Sequence, residues 1–353
     1  MKRSDKMVEF LKEKGLDYFV SICSEGSNKT VRYFSRFSGD TGAVVIGEKE
    51  RFLIVDSRFY TQASQESNFE MVKVGNSSLV DKIAEIVEGK KIGIEESKMF
   101  YAWYKTLSSK ASHIENVEEK VAQLRASKDE EEIKNIRKAI EVAQNALSKT
   151  LEKFHAGMTE REFAAILEFE MIMGGAQKPS FDTIVASGYR GALPHGLASD
   201  KKIENGEMMV VDFGALVNGY CSDMTRTFAI GKVPQKAKDA YNAVLNAQMT
   251  AMKAAKAGMI GKEIDAIARN VLEEAGLGSY FTHSLGHSLG MDVHEPPFLS
   301  PRYEKEIPSH AVVTFEPGVY IPGEFGIRIE DDVLLTPDGY DCLSSFNKEF
   351  TQI

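Results

Sequence analysis

Met208-Met209-Val210-Val211-Asp212-Phe213-Gly214-Ala215-Leu216-Val217-Asn218-Gly219-Tyr220-Cys221-Ser222-Asp223-Met224-Thr225-Arg226-Thr227-Phe228-Ala229-Ile230 is two strand-forming runs joined by an Asn-Gly pair. That pair is the strongest short hairpin signal, because both turn positions accept φ > 0. A two-residue turn sets Val217 against Tyr220, so Asp212 faces Thr225 and Asp223 faces Gly214. These four residues then share one face, with the aspartates as diagonal neighbours about 7–8 Å apart at the backbone. Two acids so placed repel unless a cation lies between them. Gly214 is expected to leave room for the ion, and Thr225 to hydrogen-bond a ligating carboxylate. Val210, Val211, Phe213 and Phe228 argue for a buried hairpin rather than a solvent-facing edge.

Two further stretches extend the pattern. His283-Ser284-Leu285-Gly286-His287-Ser288-Leu289-Gly290-Met291-Asp292-Val293-His294-Glu295 holds three of the seven histidines, with glycines on both sides of His287 that would let the backbone approach a ligand. His283 reads equally as a packing residue or a direct contact. Thr314-Phe315-Glu316-Pro317-Gly318 presents a carboxylate at a strand end, and Arg328-Ile329-Glu330-Asp331-Asp332 puts Glu330 in an apolar strand. There a lone acid is costly unless ligated or paired, with Arg328 as the candidate partner. Asp212, Asp223, His287, Glu316 and Glu330 thus form an ordered set of four hard carboxylates and one imidazole. Such a set suits two divalent ions around a shared water, manganese first and cobalt or zinc otherwise.

The remainder of the chain supplies the setting. Its 353 residues are long for one core and point to two domains, 1–122 and 123–353. The formal charge of -9 argues against nucleic-acid and anionic-membrane partners. Cys23, Cys221 and Cys342 lack CxxC spacing, and Met1-Lys2-Arg3-Ser4-Asp5-Lys6 leads into an amphipathic segment without an apolar leader, so a soluble cytoplasmic protein is expected. Residues 42–47 and 51–55 read as a hairpin, 79–87 as a helix and 91–94 as a strand of a small α/β domain. Asp56-Ser57-Arg58 reads better as a capped strand end than as a partner contact.

After residue 120 the pattern turns helical. Ser127-Lys128-Asp129-Glu130 reads as a capping box opening a long helix that ends by Gly157, and Thr159-Glu160-Arg161-Glu162 as a second box, with Gly174-Gly175 as the stop. Tyr241, Val244, Leu245, Met249 and Met252 form one further core stripe, and Ile264, Ile267, Val271 and Leu272 another before Gly276. The runs ending in Asp212 and Glu316 hint at two similar half-domains facing each other.

At this point the chain resembles the metal-dependent proline peptidases, the family of Xaa-Pro aminopeptidase and Xaa-Pro dipeptidase (prolidase). The resemblance rests on Ala186-Ser187-Gly188 through Leu193-Pro194-His195-Gly196, Val211-Asp212-Phe213-Gly214, Ser222-Asp223-Met224-Thr225-Arg226-Thr227, Gly286-His287 through Val293-His294-Glu295, Glu316-Pro317-Gly318 and Arg328-Ile329-Glu330-Asp331. A looser N-terminal match runs through Tyr33-Phe34-Ser35-Arg36-Phe37. It implies an α+β chain, a C-terminal pita-bread domain after a smaller α/β creatinase-like domain. It further implies that Asp212 binds one metal, Asp223 and Glu330 bridge both, His287 and Glu316 complete the second, and His195 and His294 contact the substrate.

The expected reaction is hydrolysis of the bond between an N-terminal residue and a following proline, with Glu316 as general base. No arginine stands shortly after His294-Glu295, where some prolidases clamp the dipeptide carboxylate; Arg302 is the nearest basic residue, so an aminopeptidase is expected, with prolidase as the alternative. A methionine aminopeptidase is disfavoured by the N-terminal domain, and a creatinase-like hydrolase or a non-enzymatic binding module by the intact ligand set. The resemblance also implies a homodimer.

Overall fold

The computed structural model describes residues 3–353, so Met1-Lys2 of the N-terminal stretch lie outside the described residues. The chain divides between Arg125 and Ala126 into two compact units. Among the described residues no helix is long and apolar enough to cross a membrane.

The first unit runs α1 (Arg3–Lys14), β1 (Tyr18–Cys23), α2 (Thr30–Ser35), β2 (Gly42–Ile46), β3 (Arg51–Val55), α3 (Tyr60–Glu66), β4 (Glu70–Lys73), α4 (Leu79–Ile86), β5 (Lys91–Ile94), α5 (Tyr101–Ser108), β6 (His113–Asn116) and α6 (Glu118–Ala126), which reaches the division. Its single sheet has the order β4-β3-β2-β1-β5-β6. The 42–55 hairpin pairs Ile46 with Arg51, and its β-branched residues pack with Ile83 and Ala84 of α4 in one core. Arg58 donates from Nε and Nη2 to Asp56 at 3.0 and 2.8 Å, the local pairing expected of a capped strand end.

The second unit holds α7 (Glu130–Leu151), α8 (Glu160–Met173), β7 (Lys178–Pro179), β8 (Ile184–Ser187), β9 (Met208–Phe213), β10 (Ala215–Val217), β11 (Tyr220–Cys221), β12 (Met224–Ala229), α9 (Gln235–Ala254), α10 (Gly261–Glu274), β13 (Gly286–Ser288), β14 (Glu295–Leu299), β15 (Val312–Phe315), β16 (Gly318–Ile321), β17 (Phe325–Arg328), β18 (Asp331–Thr336), β19 (Gly339–Cys342) and β20 (Thr351–Gln352). One sheet, β20-β12-β9-β8, shares a core with α7 and α8; another, β14-β13-β15-β18-β19, shares a core with α9 and α10. Each half is therefore a sheet backed by two helices, antiparallel throughout in the second half and antiparallel in the first except where β20 joins β12 in parallel. Asp212 and His287 come from different halves.

Three local expectations change. Helix α7 is capped by Asp129 and Glu132, which exchange bonds of 2.9 and 3.0 Å, while Ser127 Oγ donates to Ser309 O. Asp129 wins because its backbone is extended, with ψ of 171°, and its carboxylate points at the free N–H of the first turn. The helix ends at Leu151, short of Gly157, yet Phe154 still packs edge-on against Phe163 at 6.0 Å. Met249 is 41% exposed rather than core, since the buried stripe of α9 passes through Val244, Ala247, Gln248 and Ala251.

Candidate active site

The 208–230 hairpin carries both aspartates. Asn218 and Gly219 have φ of 51° and 79°, as a turn of this hand requires, and Asp212 lies opposite Thr225. The ladder breaks at Gly214, leaving Asp223 in the gap between β11 and β12. A Cβ on Gly214 would run into Ser222 O and Ser180 Oγ, so the glycine serves close packing inside the hairpin, not space for an ion. Gly286 is explained the same way, because its added Cβ would meet Thr314 O of the neighbouring strand rather than a ligand.

His287 projects from β13 at a bulge between His287 and Ser288. Its Nε2 lies 3.3 Å from Glu316 Oε1 and 3.6 Å from Asp223 Oδ2. Glu316 follows the last residue of β15 and is steadied by Thr314 Oγ1 at 3.2 Å. Glu330 lies in the break between β17 and β18 rather than within a strand, with its N–H on Thr225 O and its Oε2 accepting from Thr225 Oγ1 at 2.7 Å. Thr225 thus bonds a carboxylate as expected, and Arg328 holds the carboxylate of Asp212 instead of forming the alternative salt bridge with Glu330. Its Nη2 donates to Asp212 Oδ2 at 2.6 Å, while Nε and Nη1 take Thr225 Oγ1 and the Tyr320 hydroxyl.

All five expected ligands converge. Donor atoms lie within 4.8 Å of one another in three overlapping triplets: Asp212, Asp223 and Glu330; His287, Glu316 and Glu330; Asp223, His287 and His294. Burial, then the charge of Glu330, drives the Asp223 carboxyl well above its ordinary range. Burial, then Glu316 and Asp212, does the same to Glu330. Glu316 is the exception: burial pushes it up, but the hydrogen bond and charge of His287 bring it down to about 2. His287 is pulled down by burial and moved up overall by Glu316. Among the described residues Asp212 Oδ1 is buried without a hydrogen-bond partner. Crowded buried carboxylates with an orphaned oxygen are what divalent cations satisfy, so the donor set fits the expected metals.

These groups line a cavity of about 590 Å³, with Phe181, Ile184, Leu197 and Phe298 on its apolar side and His195 and His294 on its polar side. Both histidines are exposed, and the His294 ring lies 4.2 Å from that of His287. His283 also lines the cavity, with Nδ1 on Ser284 O and Nε2 on the Tyr320 hydroxyl, each at 2.8 Å. Arg302 is exposed and lies outside the lining.

Sequence reasoning missed Tyr320, which links Arg328 to His283, and Lys128, whose buried ammonium reaches Ser288 Oγ at 2.8 Å and Glu295 at 3.0 Å. It also missed Asp332, which accepts from Asp223 N at 3.1 Å. The apolar run Val333-Leu334-Leu335 after Asp331-Asp332 was the one signal of buried acids there.

This chain belongs to metallopeptidase family M24, which its residues 134–337 match, while residues 3–127 match the creatinase/prolidase N-terminal domain. It is 41% identical over 348 residues to the Xaa-Pro dipeptidase of Pyrococcus horikoshii, covering 98% of this chain and 97% of that one. Against the Xaa-Pro dipeptidase of Pyrococcus furiosus it is 41% identical over 352 residues, 98% and 99% of the two chains. The structure of an X-Pro aminopeptidase from Thermotoga maritima matches with a TM-score of 0.93 at 40% identity over the whole of both chains. The prolidase from Pyrococcus horikoshii matches at 0.92 and 40%, over 99% of each. The fold is the expected one, a creatinase-type N-terminal domain followed by a pita-bread domain.

Proposed function

We propose that the protein hydrolyses the imide bond of Xaa-Pro dipeptides, with two divalent ions held by Asp212, Asp223, His287, Glu316 and Glu330. The observation that carries this reading is the convergence of these five residues on two triplets sharing Glu330. Manganese is the first choice, and cobalt or zinc suit the same donors. Divalent ions there supply Lewis-acid charge and bring the pKa of water towards neutrality.

The protein's own groups do the rest. Glu316, anionic beside His287, accepts the proton of the attacking water and returns it to the proline nitrogen as the bond breaks. His195 and His294 donate N–H groups to the carbonyl oxygen as it gains charge. Burial, then the charge of His287, lowers the His294 pKa, which keeps it a neutral donor. Arg328 holds Asp212 in place. The scissile bond lacks an N–H, so substrate is gripped by the apolar wall of Phe181, Leu197 and Phe298.

The dipeptidase reading, the alternative at the sequence level, is better supported than the aminopeptidase, because two relatives spanning nearly the whole chain are Xaa-Pro dipeptidases. Two observations favour the aminopeptidase: the arginine lining the cavity, Arg328, is committed to Asp212, and the X-Pro aminopeptidase from Thermotoga maritima matches over the whole of both chains. A length series from Ala-Pro to Ala-Pro-Ala-Ala decides between them. Cleavage confined to the dipeptide is expected; equal rates on the longer peptides would favour the aminopeptidase. A homodimer accompanies this reading, to be checked by sedimentation.

A further inference from the structure

We propose that Arg190, anchored on the buried carboxylate of Glu160, is a positioning residue for His195. The inference rests on the reading of His195 given above. His195 sits on an exposed turn between the short helical segment Gly188–Ala192 and Leu197. Among the described residues no hydrogen bond reaches its ring, so its reach into the cavity depends on where the loop backbone places its Cα and Cβ. What holds the backbone therefore sets the point from which the imidazole reaches the substrate.

Glu160 is the first residue of α8, and it is 0% exposed. Its Oε1 accepts from Ser187 N at 2.8 Å and Ser187 Oγ at 3.0 Å. Its Oε2 accepts from Ser199 N, Ser199 Oγ and Arg190 Nε at 3.1, 2.6 and 2.9 Å. Residues 187 and 199, on either side of the His195 loop, are thus tied to one carboxylate. Arg190 adds a second closure within them, because its Nη2 donates to Leu197 O at 2.6 Å. The guanidinium fork therefore binds Glu160 with one nitrogen and pinches the loop with another, a geometry that an ammonium cannot copy. On the inner side Arg328 Nη1 holds Pro194 O at 3.2 Å, so His195 lies between two arginine-held carbonyls.

Removing Arg190 leaves the Ser187 and Ser199 bonds in place, but it takes away both the pinch and the cation paired with the buried Glu160, so Arg190→Ala should also lower the melting temperature, whereas Arg190→Lys keeps a cation there. Displacement of a catalytic donor by a fraction of an ångström costs turnover more than binding. In manganese-loaded protein acting on Ala-Pro, Arg190→Ala should lower kcat about 10-fold with KM changed less than about 3-fold, and Arg190→Lys should fall between it and wild type. In a His195→Ala background, Arg190→Ala should cost less than a further 2-fold or so, because a positioning residue has nothing left to position. Bound manganese should be unchanged in each.

Several results would overturn the inference. Independent, multiplying losses in the double variant would show a general structural role, as would loss of metal in Arg190→Lys or in Arg190→Ala. A slow His195→Ala beside a wild-type Arg190→Ala would remove the clamp alone. A His195→Ala with wild-type turnover would remove the reading of His195 and the clamp with it.

Discussion

Arg328 Nη2 donates to Asp212 Oδ2 at 2.6 Å, and the other oxygen of that carboxylate, Oδ1, is buried with no hydrogen-bond partner among the described residues. The arginine orients the acid and leaves one oxygen for a cation. Arg328→Lys loses the fork that also reaches Thr225 and Tyr320 and should weaken manganese binding about 10–100-fold. Arg328→Ala strands a buried charge and should also cost about 3–5 kcal/mol of stability. Calorimetric titration of manganese and denaturant melts test both; unchanged affinity in Arg328→Lys would contradict the assignment.

Gly214 stands where a side chain would collide with Ser222 O and Ser180 Oγ. Gly214→Ala must spread the hairpin between its two aspartates. A loss of about 3 kcal/mol or more is expected, together with weakened manganese binding. A thermal melt and a metal titration within error of wild type would show that the backbone yields easily there.

Glu316→Gln keeps the shape and removes the proton acceptor. A fall in kcat of about 10²–10⁴-fold is expected on Xaa-Pro dipeptides, with the thermal transition retained. Near-normal kcat with bound metal would take Glu316 out of the proposed role.

Stripped of metal, the protein should lose stability as pH rises from about 5 to 8. Asp223 has a pKa raised by burial and then by the charge of Glu330, and Glu330 by burial and then by Glu316 and Asp212, so the folded state holds protons that the unfolded chain releases. Their contribution is fully present below the ordinary carboxylate range and is lost through the raised values. His287, also raised, acts with the same sign above its ordinary value. Glu316 acts oppositely, but its stabilisation is lost only as pH falls towards about 2, outside the window. His283 and His294, lowered chiefly by burial, oppose the trend below the ordinary histidine value and are outnumbered by the raised groups. Added manganese should cancel the loss. A melting temperature of the stripped protein that climbs across this window would contradict the electrostatic account.

Much of this was legible before any coordinates because its signals are local. Asn218-Gly219 dictates a two-residue turn, and the turn dictates that Asp212 faces Thr225. Thr159 and Glu162 form the expected capping box for the same reason. The misreadings concern partners distant in sequence. Residue type marks Gly214 and Gly286 as sites of close approach but does not say to what; the answer was neighbouring backbone. Arg328 stands two residues from Glu330, yet its fork reaches Asp212, Thr225 and Tyr320 on other stretches of chain, partners that spacing along the sequence does not reveal. Tyr320 and Lys128 look like ordinary strand and helix-flanking residues until the fold buries Tyr320 against His283 and Lys128 against Ser288 and Glu295.

The central claim is that these five side chains hold two divalent ions that hydrolysis of Xaa-Pro requires. It is tested most directly by titrating manganese into stripped protein while following both bound metal and cleavage of Ala-Pro. The account predicts no cleavage at the start and recovery that saturates at two ions per chain. Full cleavage in the presence of a strong chelator, or metal saturation without any Ala-Pro cleavage, would contradict it.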